Sequence, residues 1–244
     1  MVFQGLFLDA AGTLFHLAEP VGLTYARAAE VHGLALSPEV VEACFRRAWK
    51  HHPAPLHPEG TPPADADRSW WRAVVKSTFE EAASAAIGDA TLEPLFARLY
   101  DHFAEASAWQ LYPDVPSALG RLSGIAPLHI LSNFDPRLHL ILRGLGIADC
   151  FQTVTLSSQA GASKPHHRIF ALALQKAGIP AGAALHIGDE READLQGAAR
   201  AGMHACLLER PAFDLATLAE KLCSGDDSCL QAPVSGVLKR PQIE

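Results

Sequence analysis

The chain has 244 residues, 49% hydrophobic and 19% charged, a balance that can bury a full core and excludes a disordered chain. Its formal charge of −7 argues against non-specific binding to nucleic acid or to an anionic membrane surface. No apolar run approaches the roughly 20 residues of a membrane span, and "MVFQGLFLDA" has no basic start, so neither an anchor nor a signal peptide is expected.

Taken in chain order, Val2 to Leu8 is an apolar run that stops at Asp9, the pattern of a strand buried on both faces. From about Pro20 the pattern turns helical. "PVGLTYARAAEVHG" has Pro20 at its start and Gly33 at its end, and "SPEVVEACFRRAWK" opens on Ser37, an expected N-cap, with Pro38 behind it. A Pro- and His-rich loop, "HHPAPLHPEGTPPA", precedes two further helical stretches, "DRSWWRAVVKSTFEEAASAA" and "TLEPLFARLYDHFAEA". After Tyr112 and Pro113, short apolar strands (127–131, 153–156, 184–187 and 204–208) alternate with the helical segments "RLHLILRGLG", "HHRIFALALQKAG" and "ADLQGAARAG". Such alternation predicts an α/β fold of parallel strands joined by crossover helices. The expected division is a core of residues 1–16 plus 110–222, a four-helix insertion over 17–109, and a tail, 223–244, without periodicity and loosely ordered.

Five cysteines (Cys44, Cys150, Cys206, Cys223 and Cys229) are odd in number and scattered, with no C-x-x-C pair. They read as thiols of a reducing, cytoplasmic compartment rather than as a disulfide framework or zinc site. His51, His52 and His57 lie in or beside the Pro-rich loop and His166–His167 begin a helix, with no H-x-x-x-H spacing, so surface roles are expected for them. Trp70 and Trp71 are expected in the core of the helical block, and Arg46, Arg47 and Arg72 on solvated faces or in ion pairs.

Ligands of an open parallel sheet bind beyond the carboxyl ends of its strands. The first strand ends in Asp9, followed by Gly12 and Thr13; the second ends in Ser132 and Asn133. After the third comes "SKPH" with Lys164, and the fourth runs into "GDEREAD" with Asp189, Glu190 and Asp194. Each of these has an ordinary reading. Asp9 could cap a turn, Ser132–Asn133 is common turn chemistry, Lys164 could be a solvated loop lysine, and acids are frequent at helix starts.

Four signatures occur together in one order, D-x-x-G-T, S-N, K-P and G-D-x-x-x-x-D. In that order the chain resembles the haloacid dehalogenase superfamily over almost its whole length up to about residue 210. "SWWRAVVKSTF" and "SNFDPRL" are similar to the rhythmically-expressed-gene-two-like branch of its subfamily IA. The resemblance implies a Rossmann-like, doubly wound parallel sheet with an inserted four-helix cap, and a hydrolase acting on a small, phosphorylated substrate. In its chemistry a carboxylate at a glycine turn forms a covalent ester with the substrate. Asp9 would be that nucleophile, with Gly12 making the turn and Thr13 holding an oxyanion. Ser132 would donate to a second non-bridging oxygen, Asn133 would position the loop, and Lys164 would supply charge. Asp9 and Asp189 repel each other unless a cation lies between them, and hard oxygen donors suit Mg²⁺. The resemblance gives the metal ligands as Asp9, the main-chain carbonyl of Ala11, and Asp189, with Asp194 and Glu190 behind them.

One residue departs from the pattern. Phosphatases of this family carry a second Asp two residues after the nucleophile, which protonates the leaving group, and this chain has Ala11. A positioned acid or base contributes roughly 10²–10⁴ in rate, and its loss is expected to weigh least on substrates with good leaving groups, such as acyl or aryl phosphates. Glu190 and His16 are the candidate replacements. Three other readings stay open. A metal-free dehalogenase also lacks the second Asp. A phosphonate hydrolase carries D-x-A-G-T and needs a lysine such as Lys50. The third is a catalytically weak binding or regulatory protein.

Overall fold

The computed structural model describes residues 2–53, 55 and 63–234; His57 lies outside them. In chain order the elements are β1 (Gly5–Leu8), β2 (Phe15–Leu17), α1 (Val21–Glu30), α2 (Pro38–His51), α3 (Pro63–Ala83), α4 (Asp89–His102), β3 (Trp109–Leu111), α5 (Val115–Ser123), β4 (Leu128–Ser132), α6 (Leu138–Gly144), β5 (Thr153–Leu156), α7 (Ser157–Ala160), α8 (His167–Ala177), β6 (Ala184–Gly188), α9 (Gly197–Arg200), β7 (His204–Leu207) and α10 (Leu215–Ser224). The chain divides into two compact units. One comprises Met1–His16, Leu111–Phe134 and Ile147–Glu244; the other comprises Leu17–Gln110 and Asp135–Gly146.

The first unit is built on a five-stranded sheet of order β5-β4-β1-β6-β7, parallel throughout. Register is continuous across its centre: Leu6 lies between Leu128 of β4 and Leu185 of β6, and Leu8 between Ile130 and Ile187. Every residue of β1, β4 and β6 is buried, the reason these segments read as largely apolar runs. Phe7 and Leu131 pack with Ile169, Phe170 and Ala173 of α8 and Ala198 of α9. Alternation along β1 sends Leu6 and Leu8 to the opposite face from Phe7. The strand order runs outward from β1 in both directions, so the sheet has its switch point at the carboxyl end of β1, where ligands of such sheets bind. Beyond α10 the chain returns to the sheet, where Ala205 and Gln231 exchange backbone hydrogen bonds of 3.0 and 2.8 Å.

The second unit gathers α1–α4 and α6. Its core stacks Tyr25 on Phe79, with ring centroids 5.5 Å apart, among Leu92, Leu95, Phe96 and Leu99. Gly22 lets α1 approach α2, since a Cβ there would lie 2.6 Å from that of Glu42. Trp71 is partly buried against this core, as expected for the helical block. Arg72 pairs with Asp89 and Glu93, Arg47 with Glu81, and Arg46 with Glu42, all at the surface. The expectation for Ser37 needs correction. It stands at the N-cap position of α2 with extended backbone, but its hydroxyl donates to the Glu39 carboxylate and makes no cap bond to the helix. Donation to this charged acceptor turns the hydroxyl toward Glu39, and its oxygen accepts no amide of the first turn.

Candidate functional site

The loop after β1 is held in place before any side-chain chemistry begins. The Asp9 amide donates to the Ile187 carbonyl of β6 at 2.9 Å, extending the sheet ladder by one rung. The Ala10 carbonyl then collects the turn's amides, from Leu14 at 2.7 Å and Thr13 at 3.3 Å. Gly12 has φ of +88°, a conformation that favours glycine. A Cβ at Gly12 would also come within 2.7 Å of the Asp189 Cγ, so this position needs glycine for space as well as for backbone shape. The result presents Asp9 and Thr13 at the rim, both buried.

The Asp9 carboxylate meets a buried cation. Lys164 Nζ donates to Asp9 Oδ1 at 2.7 Å and to Asp194 Oδ1 at 2.6 Å, with all three side chains nearly inaccessible. Asn133 fixes the lysine's backbone from β4: its Nδ2 donates to the Lys164 carbonyl at 3.1 Å, and its Oδ1 accepts from the Lys164 amide at 2.6 Å. Ser132 is buried one residue earlier, at the end of the same strand. A π-helical turn over Arg191–Gln196 swings Asp194 back beneath the strand end, where its Oδ2 accepts from the Glu190 amide at 3.0 Å. Gly188 makes room for this return, because a Cβ there would sit 2.7 Å from the Asp194 Cβ. Thr13 Oγ1 donates to Asp189 Oδ1 at 3.0 Å, joining the turn after β1 to the turn after β6.

The electrostatics divide these acids by role. Burial alone would raise the Asp194 carboxyl, but the Lys164 charge and the His186 hydrogen bond outweigh it and hold it well below the usual carboxylate range. Burial opposes charge on Lys164 too, yet Asp9 and Asp194 together raise it well above an ordinary lysine. Asp189 behaves in the opposite way. Partial desolvation and the Asp9 charge push it up to about 6, although it stands exposed at the rim and accepts from Thr13. Partial desolvation and Asp194 also raise Glu190. The site thus holds one lysine against several carboxylates, a deficit of positive charge beside Asp189.

A divalent cation fits that deficit. Carboxylate oxygens of Asp9, Asp189 and Asp194 lie within 4.8 Å of one another, and all are hard donors of the kind Mg²⁺ takes. Asp194 is the weakest candidate of the three, because Lys164, His186 and the Glu190 amide already occupy its two oxygens. Asp9 and Asp189 are the residues with capacity to spare. A proton and a cation would compete for Asp189, so if Asp189 is a ligand Mg²⁺ affinity measured by calorimetry is expected to fall about tenfold per pH unit below about 6. An affinity that stays constant across that range would remove Asp189 from the ligand set.

The structure therefore brings together Asp9, Gly12, Thr13, Asn133, Lys164, Asp189 and Asp194, with Ala11 and Glu190 on the same turns and Ser132 at the end of β4. Among the other candidates, His51 and His52 turn their Nδ1 atoms to carbonyls of their own helix, α2, and His166 caps α8 by accepting from the Arg168 amide. Sequence reading missed His186, whose Nε2 lies 2.8 Å from Asp194 Oδ1. A polar residue inside the otherwise apolar strand "ALHIG" was the available signal, since buried polar groups need a partner. It also missed Arg210. Together with Gly12, Tyr112, Asp189, Arg191 and Glu209, Arg210 lines a cleft of about 400 Å³ beside the acids.

An α/β core with this rim of acids around a buried lysine defines a class of hydrolase, and comparison with known proteins agrees. A profile for haloacid dehalogenase-like hydrolases matches residues 3–202. Haloacid dehalogenase-like hydrolase domain-containing protein 3 of Mus musculus is 36% identical over 203 residues, covering 82% of this chain and 79% of the mouse protein. The rhythmically expressed gene 2 protein of Drosophila melanogaster is 25% identical over 221 residues, covering 86% of this chain and 85% of the fly protein. A crystal structure of a predicted phosphoglycolate phosphatase from Haemophilus somnus 129pt shares the fold, with a TM-score of 0.65 at 19% identity over 90% of this chain and 98% of that one. The chain belongs to the haloacid dehalogenase-like hydrolase family.

Proposed function

We propose that the protein is a Mg²⁺-dependent phosphatase of small phosphorylated molecules, acting through a phosphoaspartate at Asp9. The observation that carries this reading is the pairing of a buried, lysine-held Asp9 with an exposed Asp189 whose carboxyl is pushed up to about 6 by partial desolvation and the Asp9 charge. Lys164 engages Asp9 Oδ1, which presents Oδ2 for attack on phosphorus. The bond from Oδ2 to phosphorus forms as the ester oxygen departs with its electron pair. In this reading the Thr13 hydroxyl, released from Asp189, and the Ser132 hydroxyl donate to non-bridging oxygens, and Lys164 balances charge on the transferring group. Bound Mg²⁺, held by Asp9, Asp189 and the Ala11 carbonyl, would neutralise phosphate charge. Water then cleaves the acyl phosphate and restores Asp9. Asp194 acts through Lys164, fixing the ammonium beside the nucleophile.

Ala11 contributes no proton, so the leaving oxygen departs as an anion. This shapes the test. Purified protein is expected to hydrolyse acetyl phosphate and nitrophenyl phosphate with Mg²⁺, to lose turnover in chelator, and to act poorly on alkyl phosphates. Ala11→Asp is expected to raise alkyl phosphate turnover by about 10²–10⁴-fold. Dehalogenation, the reading that also explains Ala11, predicts turnover of a haloacid that persists in chelator. The negative charge of an unneutralised Asp189 beside a haloacid carboxylate weighs against it.

A further inference from the structure

The loop after β7 reaches back to the nucleophile turn through one side chain. Arg210 Nη2 donates to the Thr13 carbonyl at 2.8 Å, a contact 197 residues apart in sequence. Thr13 is thereby held at both ends, its hydroxyl on Asp189 and its carbonyl on Arg210. The guanidinium is itself fixed from two sides. Its Nη1 and Nη2 donate to Asp114 Oδ1 and Oδ2 at 2.7 and 3.1 Å, and its plane lies over the Tyr112 ring, 3.9 Å from the centroid. Asp114 Oδ2 also accepts from the Leu215 amide at 2.9 Å, at the start of α10. Both charged side chains are largely buried, at 14% and 12% exposure, so the pair works away from bulk solvent where its geometry is held.

We propose that Arg210 is a positioning residue for the reaction at Asp9, clamping the Gly12–Thr13 turn so that nucleophile and oxyanion donor keep their places. The proposal rests on the phosphatase reading for its kinetic consequence, while the clamp itself is a property of the fold. Arg210 stands three residues past the end of β7. Its fork spans a carboxylate and a backbone carbonyl at once, and its plane stacks on tyrosine; lysine can satisfy only the point-charge part of that set. The turn it holds contains a glycine at positive φ, whose backbone has the widest choice of alternatives if released.

The experiment compares the full chain with Arg210→Gln, Arg210→Lys and Arg121→Gln by hydrogen–deuterium exchange, and by Mg²⁺-dependent turnover of acetyl phosphate well below each variant's melting point. Arg121 pairs with Glu220 between α5 and α10 at the surface, and its loss controls for general loosening of α10. In Arg210→Gln, amide exchange across residues 9–17 is expected to rise about tenfold and kcat to fall about tenfold, with KM little changed, as for loss of one charged hydrogen bond. Arg210→Lys is expected to fall between wild type and Arg210→Gln, and it serves where Arg210→Gln does not fold. Arg121→Gln is expected to leave both readouts at wild-type values. Faster exchange confined to residues 214–224, with the turn unchanged, overturns the proposal, as does a loosened turn with unchanged kcat. If wild type shows no turnover while the turn loosens in both Arg210 variants, the clamp stands and the phosphatase reading falls.

Discussion

Asp9→Asn is expected to lower turnover of acetyl phosphate by roughly 10⁴-fold or more, the scale of loss when a covalent nucleophile is removed. The side chain is isosteric, and its amide oxygen can still accept from Lys164, which also keeps its bond to Asp194. The backbone amide of residue 9 continues to pair with Ile187. The fold should therefore survive the change that ends the chemistry. Initial rates beside a denaturant unfolding curve check both halves; full activity in a folded variant would mean that Asp9 is not the attacking group.

Lys164→Met makes the opposite demand on the fold. Removing the ammonium leaves Asp9 and Asp194 facing each other in a buried site, and breaking one partner out of a buried ionic set costs about 3–5 kcal/mol. The pH dependence gives a second signature. In the native protein Asp194 titrates well below its unfolded value, so it contributes stability that is present above about pH 4 and lost as pH falls below it. Without Lys164 that depression shrinks, and the variant should lose less stability on acidification than wild type. Urea titrations at about pH 7 and pH 3 test both points. Equal stability of variant and wild type at neutral pH would show that the buried lysine is not needed to compensate the acids.

The parts of this site visible in the sequence are those that parallel strands place automatically. β1, β4 and β6 are buried on both faces and end in register, so residues just beyond them must share a rim: Asp9, Ser132–Asn133 and Asp189 could be listed together from their positions alone. Lys164 follows β5 by the same rule. The elements that escaped notice lack such a signature. β2 and β3 are three residues each and only partly buried, too short to show alternation. Helix α5 begins with Val115–Pro116 and α10 depends on Asp214, whose carboxylate accepts from the Thr217 amide at 2.9 Å, a cap recognisable only once the helix is known.

The supporting side chains were harder to read than the reacting ones, for a physical reason. His186 meets Asp194 across a turn of unusual helical geometry, and Arg210 reaches Thr13 and Asp114 across long sequence separations. The six-residue π-helical stretch that returns Asp194 to the strand end has no periodicity to detect. Ala11 was legible as a departure, and on the proposed phosphatase reading, with no carboxyl at that position, the leaving group would supply its own stability as an anion.

The most direct measurement is rapid acid quenching of the protein turning over acetyl phosphate, followed by peptide mass spectrometry of the segment containing Asp9. The account predicts a phosphoryl group on Asp9 in Mg²⁺, absent in chelator and absent in Asp9→Asn. Turnover that proceeds with Asp9 unmodified, or with the phosphoryl group on another residue, would contradict it.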